Sequence, residues 1–414
     1  MTRVLKHKGL LVILLIGLTL RLAVLFTKGP WLSLMSDDRG YMNSALAFLS
    51  GHGITYTYID EPTVHILPGI TLLLAPFFVF GQTGVSMTLI KLMMILFGLL
   101  SIILTYAIGQ FLFNRYAGWI GAFLLAIYIP QILTDNLVLT EAPFTALFLG
   151  FIYFSIRLAH DPRMSWFYWV ISLYLTMLYF RPTLALLPIP LLIYFILKKY
   201  PLKLALKQFG IAAILLILVM SPWWIRNYVH YHEFIPLSGG AGNPMLLGTY
   251  QGHGYKYGPS YNEVMDGIEK SMKDSWHYDR QQAQKDVALE RMKRMYADNP
   301  KQFLYTYTIS KTVAQWSQPF YWIKILGVPL DTMKQLYNKS IGMLFLLSVI
   351  AFFVFPKRRT EWIFVGLIIG YLTVLNDIFF AYPRYNQPLL PLLFIFAAAG
   401  GIGLLQRIKK KLPI

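Results

Sequence analysis

Between Gly9 and Thr27 the chain carries one charged side chain, Arg21, in a mostly aliphatic run, and such runs recur along its length. Hydrocarbon offers no water to backbone amides and carbonyls, so a segment that crosses a bilayer folds as a helix with its hydrogen bonds inside it. About 20 residues cross a core ~30 Å thick. Further runs extend from Val85 to Phe113, Ala117 to Leu133, Val138 to Ala159, Trp166 to Phe180, Thr183 to Leu197 and Leu206 to Trp224. Ile341 to Phe355, Trp362 to Ala381 and Leu389 to Leu405 bring the predicted spans to about ten. Charged residues make up only 14% of the chain, against roughly 25% in soluble proteins, so the chain cannot cover a soluble surface. Cysteine is absent, which excludes disulfides, thiolate catalysis and cysteine metal sites. Arg21 and Pro30-Trp31 stand where a signal peptide would carry small residues, so the first run reads as a true span.

The run Ile66 to Phe80 is too short to span, reaching only ~22 Å. Charge parity assigns its path, because cytoplasmic loops hold the lysines and arginines. If it does not cross, Arg3/Lys6/Lys8, Arg115, Arg157/Arg163, Lys198/Lys199/Lys203/Lys207, Lys357/Arg358/Arg359 and Arg407/Lys409/Lys410/Lys411 share one side. The run is therefore predicted to lie in or re-enter the outer interface, with both termini cytoplasmic. The same clusters account for the net charge of +18: they orient helices and meet anionic lipid. No base-reading or stacking element accompanies them, so no nucleic-acid partner is expected.

The predicted organisation is a transmembrane part over 1–227 with a first outer loop at 28–83, an extracytoplasmic domain over 228–339, and closing transmembrane helices over 340–414. In the outer domain Met265, Ile268, Met272, Val287, Leu289 and Met292 recur at helical spacing, which predicts a helix from Tyr261 to Tyr296. Asn299-Pro300 ends it, and a second helix follows from Gln302 to Trp316.

Candidate functional groups gather on the outer face. Asp37 and Asp38 open a short amphipathic helix whose apolar side is Tyr41, Ala45, Phe48 and Leu49. One aspartate there is explained by helix capping; two beside a span call for a further role. Glu141 begins a span, where an ionised carboxylate is expensive and usually paired or functional. Arg181, Arg226 and Arg384 fall outside, against the positive-inside trend. They are read as phosphate ligands or as snorkelling side chains. The histidines are scattered, with a His65–carboxylate metal site as one reading. Gly239-Gly240-Ala241-Gly242-Asn243 lacks the strand, helix and lysine of a P-loop, and no nucleophile elbow supports a hydrolase triad.

Taken in order, these segments resemble the polytopic glycosyltransferases of the GT-C fold, in the bacterial branch related to protein O-mannosyltransferases and aminoarabinose transferases. The resemblance rests on Asp37, Tyr41 and Gly51; on Pro68-Gly69 through Gly81; and on Thr140-Glu141-Ala142-Pro143-Phe144. It continues through Arg181-Pro182, Ser221-Pro222-Trp223-Trp224-Ile225-Arg226-Asn227-Tyr228, Asn299-Pro300-Lys301-Gln302-Phe303-Leu304 and Arg384-Tyr385 with Pro388 and Pro391. Relatives often carry Lys-Pro-Pro where this chain has His65-Ile66-Leu67-Pro68.

The resemblance implies an all-α polytopic membrane protein of the bacterial cell membrane, with outer interfacial helices and a small helical outer domain. It implies transfer of a sugar from a polyprenyl phosphate to an extracytoplasmic protein, glycan or lipid hydroxyl, with inversion. Asp37 is then the base or activating carboxylate, with Asp38 and Glu141 orienting the acceptor or holding a divalent cation; that cation, on Asp37, Asp38, Glu141 or His65, is the one cofactor implied. Arg226 and Arg384 face the lipid phosphate, and Tyr41, His65, Arg181, Asn227 and Tyr385 complete the substrate contacts. The alternative is a non-enzymatic lipid or solute transporter, although no inverted repeat appears.

Overall fold

The structure, a computed structural model, describes residues 8–411; Arg3 and Lys6 of the first basic cluster lie outside the described residues. The chain is helical throughout, with no β-strand among the described residues. Helix α1 spans Lys8–Lys28, α2 Asp37–Leu49, α3 Pro68–Leu74, α4 Gly84–Leu112, α5 Arg115–Ile127, α6 Ile129–Thr134 and α7 Glu141–His160. Then come α8 Met164–Leu178, α9 Pro188–Leu197, α10 Leu202–Tyr231, α11 Gly242–Gly248, α12 Tyr261–Ser271 and α13 His277–Asp298. Last are α14 Pro300–Tyr305, α15 Lys311–Trp316, α16 Leu330–Val354, α17 Arg359–Ile378 and α18 Leu390–Lys411.

Seven helical runs are long and apolar enough to cross a membrane: α1, α4, α7, α10, α16, Pro356–Ile378 and Pro383–Ile408. They coincide with seven of the predicted spans and make this a multi-pass membrane protein. The other three predicted spans are shorter apolar helices, Arg115–Ile127, Met164–Leu178 and Pro182–Leu197. The run from Ala117 to Leu133 is broken because Tyr128 turns extended (ψ 103°) and α6 restarts with Pro130 in its first turn, where a missing N–H costs no helical bond.

Burial separates centre from rim. In α7 and Pro383–Ile408, 72% and 78% of the membrane window is buried, against 11% in α10 and 17% in α16. The first two form the centre, and α10 and α16 turn most of their surface to lipid. Small residues let neighbouring helices touch: a Cβ on Gly118 of α5 would stand 2.7 Å from the Tyr106 carbonyl of α4.

The short run Pro68–Phe78 is α3 followed by a 3₁₀ turn. At about 1.5 Å per residue it is far too short to span. Gly69 donates to the carbonyl of Tyr179 at 2.9 Å, and a Cβ there would lie 2.5 Å from that oxygen, so only glycine lets α3 dock at the end of α8. Ser44 and Thr71 bond at 2.8 Å and pin α2 on α3.

Helices α11 to α15 make up the segment predicted as an outer domain. The single helix predicted from Tyr261 to Tyr296 is two, α12 and α13, parted at Met272–Trp276. Ser260 and Glu263 form a capping box on α12, and Asn299 caps α14 ahead of Pro300.

Candidate active site

Four segments distant in sequence meet at one end of the bundle: the start of α2, the start of α7, the turn after α8, and the 3₁₀ segment Pro383–Leu389. Arg384 is their hub. Its Nε donates to Glu141 Oε1 at 2.5 Å and its Nη2 to Glu141 Oε2 at 2.9 Å, a two-pronged pairing; its Nη1 donates to Asp37 Oδ2 at 2.5 Å. Arg181 Nη2 donates to Glu141 Oε1 and to Thr140 Oγ1, and its guanidinium lies over the Phe144 ring. The Thr140-Glu141-Phe144 motif is thus the seat of Arg181. The chain runs Asp37–Arg384–Glu141–Arg181, two acids and two bases, so burial leaves no net charge unpaired.

Exposure divides the roles. The Glu141 side chain is 0% exposed, Arg384 8%, Arg181 14% and Asp37 36%. Asp37 is therefore the most exposed member of the chain. Among the described residues its Oδ1 is approached only by the Tyr56 hydroxyl, at 3.4 Å. Tyr56 reaches it because Gly40 leaves room: a Cβ at Gly40 would lie 2.2 Å from the Tyr56 ring.

Asp38 is different. It is buried, its Oδ2 accepts from Leu34 N at 2.7 Å, and its Oδ1 accepts from Ser36 N and Arg39 N, each at 3.1 Å. Those bonds fold the entry to α2 and aim Asp37. Burial, then the charge of Asp37, raises the hydroxyl pKa of both Tyr41 and Tyr56, so both stay protonated near neutrality. Burial lowers the pKa of His65, although Asp37 opposes it. The His65 ring stacks obliquely on Tyr56 with centroids 4.7 Å apart, and its Nδ1 is buried without a hydrogen-bond partner. Tyr385 follows Arg384 in the same segment.

Arg226 and Asn227 stand apart from this cluster. Arg226 Nη1 donates to Thr63 O at 2.8 Å and to Asn227 Oδ1 at 2.9 Å, and Nη2 donates to Ile54 O at 3.0 Å. It braces the loop between α2 and α3, so several of its donors are already committed. It also lines a cavity of ≈ 880 Å³ walled by Phe48, Pro68, Leu72, Thr176, Phe180 and Trp223, among others, in which apolar side chains predominate. Phe180 of that wall adjoins Arg181.

Among the described residues no three His, Asp or Glu side chains gather to hold a metal ion. Both oxygens of Glu141 face guanidinium groups and both of Asp38 face backbone amides. This donor set does not fit a divalent cation.

Sequence reasoning passed over a polar network beneath the site. Arg21 and Asp135, both 0% exposed, pair at 2.8 Å (Nε to Oδ2), and Gln131 donates to the other Asp135 oxygen at 2.8 Å. Lys91, also buried, donates to Leu32 O and Asn136 O, each at 2.7 Å. Together they hold the irregular stretch between α6 and Glu141. The available signal was a lone charge inside each of two otherwise apolar runs.

Residues 67–225 match the family model described as dolichyl-phosphate-mannose-protein mannosyltransferase. The chain superposes on the archaeal oligosaccharyltransferase AglB from Archaeoglobus fulgidus, in complex with an inhibitory peptide and a dolichol-phosphate. The TM-score is 0.56 at 14% identity, covering 98% of this chain and 52% of that one. The same enzyme tethered to an acceptor peptide with the NVT sequon gives 0.56 at 12% identity, covering 98% and 50%. ArnT from Cupriavidus metallidurans bound to undecaprenyl phosphate gives 0.44 at 12% identity, covering 98% and 80%. The chain spans about half the length of the oligosaccharyltransferase, and at these identities the likeness is one of fold. No curated protein matches the sequence. The chain is a polytopic membrane protein of the GT-C fold, and its residues 67–225 match the dolichyl-phosphate-mannose-protein mannosyltransferase family.

Proposed function

We propose that this protein is a membrane glycosyltransferase that transfers a sugar from a polyprenyl phosphate to an acceptor hydroxyl at the outer face of a bacterial cell membrane. One observation carries the reading: a partly exposed carboxylate, Asp37, is held by a buried Arg–Glu–Arg chain whose Arg181 directly follows Phe180 in the wall of a large apolar cavity. The superposed oligosaccharyltransferase, solved with a dolichol-phosphate and with an acceptor peptide, supports a lipid-linked donor. The donor's tail lies in the cavity, and Arg226 at its wall and Arg181 beyond Phe180 lie towards its phosphate.

Asp37 accepts the proton of the acceptor hydroxyl through Oδ1 as that oxygen attacks the anomeric carbon. The bond from that carbon to the phosphate oxygen breaks, and the lipid phosphate leaves with the electron pair. Attack opposite the leaving group inverts the anomeric centre. Arg384 holds Asp37 aimed, and the arginines offset charge growing on the phosphate. The site lies outside, both termini lie in the cytoplasm, and Pro68–Phe78 lies in the outer interface.

The test is turnover by the purified protein in detergent, with a panel of polyprenyl-phosphate sugars and acceptors. Release of the polyprenyl phosphate with at least one donor is expected, and Thr176→Trp, which fills the cavity, raises KM for long-chain donors by about tenfold or more, the loss of a few buried methylenes. Absence of turnover across the panel would overturn the proposal.

A further inference from the structure

The backbone that presents Arg384 is poorly supported by its own hydrogen bonds. Helix α17 ends at Ile378, Phe379 leaves the helical region at ψ −87°, and only a 3₁₀ segment resumes at Pro383. Backbone groups in such a stretch need partners from elsewhere, and here the outer domain supplies them. Gln251, in the loop after α11, donates from Nε2 to Ala381 O at 2.8 Å and accepts from Ala381 N at Oε1, 2.9 Å. One side chain thus satisfies both polar groups of the residue three before Arg384. On the far side of Arg384, Gln315 of α15 donates from Nε2 to Asn386 Oδ1 at 2.6 Å, and Asn386 returns a bond from Nδ2 to Gln315 O at 2.8 Å. Gln315 is 0% exposed and Asn386 1%.

The rest of α15 grips the same region. Lys311 donates from Nζ to Asp377 O at 2.8 Å, capping the end of α17, and Thr312 Oγ1 donates to Asp377 Oδ2 at 2.5 Å. Positions 311, 312, 315 and 316 share one helical face, and Trp316 Nε1 adds a bond to Thr373 Oγ1 at 3.2 Å. A π-helical turn over Thr306–Ser310 sets that face. Its wider turn rotates α15 relative to α14, whose Gln302 pairs with His253 on the outer domain's own loop at 2.7 Å. The helix thus faces the outer domain before the π turn and the membrane helices after it.

Resting on the functional reading above, we propose that Gln251 and Gln315 are positioning residues for Arg384, so that the outer domain is a working part of the transfer site. They touch no reacting atom. They fix the segment 379–387, and through it the guanidinium that aims Asp37.

The test uses the full chain in detergent with Gln251→Ala, Gln315→Ala and the exchanged pair Gln315→Asn/Asn386→Gln, which keeps two facing amides. Hydrogen exchange over 379–389 and steady-state kinetics are read together. Faster exchange in that segment, with α7 unchanged, is expected in both alanine variants. With it, kcat falls by roughly 10- to 100-fold, the cost of a small misplacement, while KM for the donor stays within about threefold. The exchanged pair recovers both readouts. Unchanged exchange in 379–389 in Gln251→Ala overturns the proposal, as does faster exchange with unchanged kcat, which leaves the glutamines merely structural. If no donor turns over with the unmodified protein, the functional reading fails, and exchange alone decides whether the outer domain holds this segment.

Discussion

Arg384→Lys keeps the charge at the hub and removes its fork. The arginine spreads three donors over two carboxylates, at 2.5 and 2.9 Å on Glu141 and 2.5 Å on Asp37. A lysine offers one nitrogen, which cannot lie along both oxygens of Glu141 and also reach Asp37. Two charge-assisted bonds are lost, at about 1.5–3 kcal/mol each. Coulomb attraction retained by the ammonium offsets part of this, and a net destabilisation of about 4 kcal/mol follows. With about 2.1 cal/mol/K per residue, 414 residues give an unfolding entropy of ~0.9 kcal/mol/K, so the midpoint falls by roughly 5 °C. Thermal unfolding in detergent, followed by tryptophan fluorescence, reads this shift. Turnover of the same sample should fall by about 100-fold, because Asp37 loses its aim while the local charge is unchanged. An Arg384→Lys protein with an unshifted midpoint and normal turnover would refute the argument that geometry, rather than charge, is what Arg384 contributes.

Other regions of the molecule yield further expectations. Arg21→Ala leaves Asp135 buried without its partner and lowers stability by about 3–5 kcal/mol; removing Asp135 as well restores much of the loss, which a double-mutant cycle measures. Burial, with His65 and Arg280 nearby, lowers the His277 pKa from 6.5 to about 4. The unfolded chain then binds the extra proton between those values, so stability is complete above pH 6.5 and declines as pH falls towards 4, by about 1.4 kcal/mol per unit of displacement. His277→Gln should flatten the decline in unfolding midpoint over that window. Cysteines placed singly at 198 and 358 should react only with reagents that enter the cytoplasm, and those at 61 and 253 with impermeant ones; labelling of 198 from outside would contradict the proposed orientation.

The long helices were legible because hydrocarbon enforces them: nothing but a helix satisfies a run such as Val85 to Phe113. The break at Tyr128 was signalled by Pro130, but the break at Met272–Trp276 carries neither proline nor glycine and was not. Asp37, Glu141, Arg181 and Arg384 each stood out as a charge near an apolar boundary, yet their pairing joins residues up to 347 apart, which local pattern cannot reveal. Adjacent aspartates look alike in sequence. Only the loop geometry shows that Asp38 is consumed by the amides of Leu34, Ser36 and Arg39 while Asp37 faces outward. Arg226, read as a phosphate ligand or a snorkelling side chain, also braces the carbonyls of Ile54 and Thr63, a contact that the sequence does not signal because a guanidinium suits carbonyl oxygens as well as phosphate ones. Gln251 and Gln315 gave no signal, since neutral amides in a polar domain are ordinary.

The proposed chemistry turns on Asp37 as the proton acceptor in sugar transfer. Asp37→Asn keeps one oxygen for Arg384 Nη1, turns an amide nitrogen towards the Tyr56 hydroxyl and remains a good helix-start residue, so the fold is retained with only the modest loss of stability that follows from giving up the ion pair. It removes the charge and the capacity to take a proton. The decisive measurement is transfer rate and donor affinity for Asp37→Asn beside Asp38→Asn in one preparation. Asp37→Asn is expected to lose about 10²- to 10⁴-fold in turnover with donor affinity within about threefold, whereas Asp38→Asn loses stability first. Near-normal turnover in Asp37→Asn would contradict the assignment.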